Sequence, residues 1–236
     1  MKILAFDSTA KVASAAVTED DRTLALYSVD NGLTQSELLL PMAEAILKSL
    51  RIDFSEIGAY AVTVGPGSFT GVRIGVSLVK GLAFGKGVPC VAVSTLEALA
   101  ENLRGIPGII VPCMDARRAQ VYTALFLSDG DTLTRITEDS AIPISQLYDM
   151  LCEYGDKNIY LVGDGYAITR KALDELGLKG LSVTPELLRM QNAASVAKVA
   201  KRKIDSGEYT TDEKLSPIYL RMPQAERERL EKEKKQ

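Results

Sequence analysis

The sequence predicts an α/β protein built from two related βββαβα lobes that face each other across a cleft. Three observations carry this. A short apolar strand closed by an aspartate opens each half of the chain, a Gly-x-Gly turn joins a strand to a helix in each half, and 236 residues suffice for two lobes of about 100 residues each.

In the first half, residues 2–6 read as a buried strand, and residues 13–18 and 23–29 form a hairpin around Glu19-Asp20-Asp21. A helix follows over Gln35–Leu50, opened by the capping box Thr34-Gln35-Ser36-Glu37, with Pro41 inside it expected to kink it or delay its start. Then come a strand over residues 59–64, the turn Gly65-Pro66-Gly67, a helix over about 70–84 with Ser68 or Thr70 as N-cap, a strand over 88–93 and a helix over 95–102.

The second half repeats this order. Residues 109–114 are an apolar strand closed by Asp115, residues 119–127 and 132–137 are a hairpin, and residues 144–153 a helix. A strand over 158–162, the turn Gly163-Asp164-Gly165 and a helix over 166–176 complete it. The recurrence of the aspartate and of the glycine turn argues for internal duplication. A duplicated βββαβα unit is the order of actin-like (ASKHA) folds. The expected organisation is residues 1–104 as the first lobe, 105–192 as the second, 193–221 as a helix and strand returning to the first, and 222–236 as a solvated, mixed-charge tail.

Composition removes whole classes of chemistry. The chain has no histidine, so it has no imidazole for a Ser-His-Asp or Cys-His hydrolase or for a zinc peptidase. Its three cysteines, Cys90, Cys113 and Cys152, are widely spaced and read as small buried hydrophobes, so no metal site is expected. A net charge of −3 disfavours unaided binding of a phosphate backbone, and no apolar run approaches the ~20 residues of a membrane span. The start MKILAFDS enters a strand directly and reads as no signal peptide, which points to the cytoplasm.

In an actin-like cleft the aspartate closing each first strand would hold a metal-bound phosphate beside glycine N–H groups. Here Asp7 is followed by Ser8-Thr9-Ala10 and Asp115 by Ala116-Arg117-Arg118, neither with a glycine. Asp7, Ser8, Asp115, Arg117, Gly163 and Gly165 are therefore the cleft candidates, for at most weak binding of ATP or ADP; hairpin capping is the commoner use of such aspartates. A guanidinium of Arg117 or Arg118 is expected to reach across and pair with Asp7, filling the phosphate position. A stand-alone phosphotransferase using Asp7 or Asp115 is the alternative from another class.

The stretch from Gly65 to Gly75 fits neither a Walker loop nor G-x-G-x-x-G. Gly71, Gly75, Gly81 and Gly85 are costly in a helix and call for close approach of another backbone, either the lobe's own sheet or a helix of another subunit. The preceding helix carries a broad apolar stripe of Leu38, Leu39, Met42, Ala43, Ile46, Leu47 and Leu50, which suits the same two uses.

Together ILAFDST, GAYAVTVGPGSFTGVRIGVSLVKGLAFG, VSTLEALA, MDARRAQVY and SPIYLR resemble the TsaB (YeaZ) family over nearly the whole chain. The resemblance implies an actin-like, non-catalytic scaffold. In that family's machinery a paralogue, TsaD, transfers threonylcarbamoyl to N6 of adenosine 37 in tRNAs reading codons that begin with A, using a metal held by two histidines. Thr95 and Leu99 stand where those histidines would be, and neither replaces imidazole. The resemblance further implies pairing with TsaD, self-pairing as a homodimer when alone, a TsaE-type ATPase docking nearby, and tRNA contact only through the complex. The interface it implies is the first two helices: Ser36, Leu39, Met42, Ala43, Ile46 and Leu47, and Thr70, Gly71, Ile74, Gly75 and Leu78. Gln35 stands where many relatives have a histidine. Relatives have been called glycopeptidases, a label without a nucleophile–base pair to support it here.

Overall fold

Alternation along the first strand sets the layers of the molecule. The structure, a computed structural model, describes residues 1–221, so the mixed-charge tail from residue 222 lies outside the described residues. Strand β1 (Lys2–Asp7) pairs antiparallel with β2 (Ala13–Glu19), which pairs with β3 (Arg22–Val29); on its other side β1 runs parallel to β4 (Ala59–Gly65), and β4 parallel to β5 (Cys90–Ser94). The sheet order is β3-β2-β1-β4-β5. Leu4 and Phe6 point to one face, where helices α1 (Gln35–Leu50) and α2 (Phe69–Ala83) cover them. Ile3 and Ala5 point to the other face, against α6 (Ala193–Asp205). That second face is lined by Ala5, Ala16, Ala59 and Ala61 and meets Ala193, Ala197 and Ala200, so small residues on both sides let the helix lie close to the sheet.

The second lobe repeats the order. Strand β6 (Gly108–Asp115) pairs antiparallel with β7 (Gln120–Thr123) and β8 (Phe126–Ser128), β8 with β9 (Leu133–Arg135), and β7 with β10 (Ser140–Pro143). After α4 (Ile144–Cys152), β11 (Ile159–Val162) lies parallel to β6, and after α5 (Tyr166–Glu175), β12 (Leu181–Ser182) lies parallel to β11. The path β9-β8-β6-β11-β12 therefore matches the first sheet, and the molecule has the two-lobed actin-like fold expected.

The differences have physical causes. The strand expected over 119–127 is broken in two because β7 pairs with Cys113 to Asp115 while β8 pairs with Gly108 to Ile110, and Pro112, which has no N–H to give, sits at the break. The backbone N–H of Leu125 at the bend donates to Thr137 Oγ1. Helix α1 starts at Gln35 as the capping box requires, so Pro41 does not delay it; Pro41 is exposed and forfeits only the bond to the carbonyl four residues back. Helix α3 (Thr95–Glu101) serves both cores, with Ala98 against α6 and Leu96, Leu99 and Ala100 on the second sheet. Beyond α6 no strand forms among the described residues: the chain returns along the first lobe through the isolated Cys90–Thr210 bridge and the bond from the Ile218 N–H to the Val64 carbonyl.

Candidate functional site

Two concavities collect the predicted residues: a groove between α1 and α2 on the outer face of the first lobe, and the cleft between lobes. The groove, about 410 Å3, is lined by Gln35, Ser36, Leu39 and Leu40 from α1 and Arg73, Ile74, Ser77 and Leu78 from α2. Its helices are fixed at their starts. The Glu37 carboxylate accepts from the Thr34 N–H (3.0 Å) and Thr34 Oγ1 (2.6 Å), which holds its pKa below the usual range. Gln35 Nε2 donates to the carbonyl of Ala10 (2.9 Å), tying α1 to the loop after β1. At α2, Ser68 is the N-cap: its Oγ accepts from the Gly71 N–H, and its own N–H donates to the Thr9 carbonyl.

Of the interface candidates, Ser36, Leu39, Ile74 and Leu78 line the groove, and Thr70 is exposed on the first turn of α2. Met42, Ala43, Ile46 and Leu47 do not reach it. They lie buried in the core between α1 and the sheet, so the stripe is mainly spent on the lobe's own strands. Gly71 and Gly75 are likewise internal: a Cβ on either would run into Ser8, whose Oγ donates to the Gly71 carbonyl at 2.8 Å. The close backbone approach is real, but its partner is the turn after β1 rather than another subunit. Gly81 has nothing within 4 Å of a built Cβ, and Gly85 lies past the end of α2 with φ +68°. Leu40, Arg73 and Ser77 were missed. Leu40 is a leucine one position off the stripe, 38% exposed, and that displacement was the available signal.

The cleft encloses about 660 Å3 between Thr9, Ala10, Lys11, Asp30, Gly67 and Ser68 on one side and Met114, Asp115, Arg117, Tyr122 and Asp164 on the other. Asp7 and Asp115 cap their turns in the same way. Asp7 Oδ1 accepts from the Thr9 N–H (2.9 Å) and Thr9 Oγ1 (2.7 Å), and Asp115 Oδ1 from the Arg117 N–H (2.7 Å). Burial raises the pKa of Asp7 to about 6, against the Thr9 bonds, and burial also raises that of Asp164. Arg117 does not reach Asp7. The turn sets Arg117 at φ +65°, its Nη1 donates to Asp115 Oδ2 at 3.2 Å, and its side chain is 85% exposed while Asp7 is sealed beneath Thr9.

In the turn Gly163-Asp164-Gly165 two backbone N–H groups are engaged within the protein. The Gly163 N–H donates to the Arg189 carbonyl (2.6 Å) and the Gly165 N–H to the Cys113 carbonyl (2.9 Å). A Cβ at Gly163 would strike the Cys113 carbonyl, so this glycine serves close packing of the turn on β6. Among the described residues no three His, Cys, Asp or Glu side chains converge to hold a metal ion. Cys90 and Cys113 are buried as expected, but Cys152 is exposed, because it ends α4 off the face that Ile144, Leu147 and Leu151 bury.

Residues 34–229 match the model of the TsaD family, described as tRNA N6-adenosine threonylcarbamoyltransferase. The tRNA threonylcarbamoyladenosine biosynthesis protein TsaB of Bacillus subtilis is 32% identical over 235 residues, covering 99% of this chain and 100% of that protein. TsaB of Escherichia coli is 29% identical, covering 94% of this chain and 95% of that protein. The solved structure of YeaZ from Pseudomonas aeruginosa superposes with a TM-score of 0.76 at 25% identity, covering 93% of this chain and 99% of that one.

Proposed function

The chain belongs to the TsaB (YeaZ) family, and we propose that it is a non-catalytic scaffold subunit in the formation of threonylcarbamoyladenosine in tRNA. It pairs through the α1–α2 groove with a TsaD-type catalytic paralogue, and a TsaE-type ATPase joins that pair. Transfer to N6 of adenosine 37 takes place on the paralogue, and tRNA meets this chain only in the complex. Alone, the same groove pairs two copies. The setting is the cytoplasm; no helix among the described residues is long and apolar enough to cross a membrane.

One observation carries this reading: an apolar groove between two helices, with Leu40 at its rim 38% exposed, on a chain without histidine. A surface of this kind is covered by another apolar helical surface. The cleft supports the same side, because the N–H groups of Gly163 and Gly165 are already engaged and ATP or ADP would find at most a weak seat.

Leu40→Asp tests it. Leu40 is exposed in the isolated chain, so the variant keeps its fold; in a sealed interface the unpaired carboxylate costs several kcal/mol. Association with the catalytic paralogue, measured by titration calorimetry, is expected to fall by at least ~100-fold. Undiminished association would place the interface elsewhere. Asp at Met42 or Ile46 would unfold the lobe and is not a usable substitute.

A further inference from the structure

The groove carries one formal charge among its lining residues, Arg73, and that charge is held by a segment 146 residues away. Residues 215–221 cross the top of the first lobe. The Ile218 N–H donates to the Val64 carbonyl at 2.7 Å, and the Tyr219 ring stacks on Phe69 with centroids 4.7 Å apart. Arg73 Nε donates to Tyr219 Oη at 2.7 Å, with the guanidinium carbon 5.5 Å from the Tyr219 ring centre. Arg221 Nη1 then donates to the Ala116 carbonyl, fixing the far end on the second lobe.

Among the described residues this clamp uses only one of the five N–H donors of Arg73. Among the described residues no carboxylate or carbonyl accepts from its Nη1 or Nη2, and no carboxylate lies within ion-pair distance. The guanidinium therefore keeps a two-pronged edge free beside Leu39, Leu40, Ile74 and Leu78. A partner that seals an apolar groove over a cation must supply an anion or leave the charge buried and unpaired. We infer that Tyr219 is a positioning residue that presents Arg73 to the groove, and that the helical surface filling the groove carries an Asp or Glu which Arg73 receives. This rests on the scaffold reading above and adds its charged determinant.

The test is calorimetric titration of the full-length chain with the full-length catalytic paralogue at low and high salt. Arg73→Gln is expected to weaken association about tenfold at low salt and to flatten its salt dependence, because a charge-assisted pair is lost. Arg73→Lys restores the salt dependence with part of the affinity. Tyr219→Phe keeps the ring stack and the thermal midpoint but loosens the guanidinium, and it is expected to weaken association about threefold with the salt dependence intact. Wild-type affinity and salt response in Arg73→Gln overturn the inference. If Leu40→Asp abolishes association while Arg73→Gln does nothing, this inference alone falls; if Leu40→Asp also does nothing, the interface itself is misplaced.

Discussion

Replacing glycine by alanine at two points of α2 should move stability in opposite directions. At Gly71 the new Cβ overlaps the backbone carbonyl of Ser8, which cannot swing aside because the same residue's Oγ is bonded to the Gly71 carbonyl. Overpacking of this kind costs about 1–3 kcal/mol, with a rigid backbone atom placing it at the upper end, and the better helix propensity of alanine returns up to about 1 kcal/mol. The expected net loss is about 2 kcal/mol. At Gly81 a Cβ meets nothing within 4 Å, so only the propensity gain of up to about 1 kcal/mol remains. For a chain of this size that is a thermal midpoint lower by about 4–8 °C for Gly71→Ala and higher by about 2–4 °C for Gly81→Ala. Differential scanning calorimetry of the isolated chain reads both. Were the glycine notch shaped for another subunit, Gly71→Ala would melt at or above the wild-type temperature alone and lose only association, and that result would refute the packing argument.

Two further perturbations read the cleft and the joint between lobes. Asp7 is fully buried with its pKa raised from 3.8 to about 6, so the folded state binds a proton more tightly than the unfolded chain. Its stability contribution is therefore greatest below about pH 4 and is lost as pH rises through about 6, by about 3 kcal/mol. Asp7→Asn should remove that slope and be the more stable protein at pH 7 in urea titrations; an unchanged slope would show that Asp7 is not the group responsible. Glu101, with a side chain 1% exposed, accepts from Arg104 Nε (2.9 Å) and Arg202 Nη2 (2.8 Å), linking α3 to α6. Glu101→Ala should lose about 3 kcal/mol, the lower part of the range for breaking a buried pair because both arginines keep contact with water. A loss under about 1 kcal/mol would mean the linkage is incidental.

Local chemistry made much of the fold legible. Helix α1 begins where Thr34 and Glu37 cap it, and the duplication was readable because each half spends an aspartate on the same turn and glycines on the same strand-to-helix approach. The short strands β10 and β12 were not legible, since four and two residues carry too little pattern, and the break at Pro112 depends on which neighbour lies across the sheet. The site was harder still. Periodicity reports that Met42, Ile46 and Leu47 share a face but not what covers it, and the same holds for Gly71 and Gly75. Leu40 and Arg73 line the groove because of what lies beside them in space, and Arg73 owes its setting to Tyr219, which no local pattern connects to α2.

The most direct measurement is threonylcarbamoyl transfer to tRNA in a reconstituted mixture, run with this chain alone, with the complete set of subunits, and with Leu40→Asp in place of the wild-type chain. The expected result is no transfer by the chain alone, transfer by the complete set, and its loss with folded Leu40→Asp. Transfer by the isolated chain, which has no imidazole to offer, would contradict it.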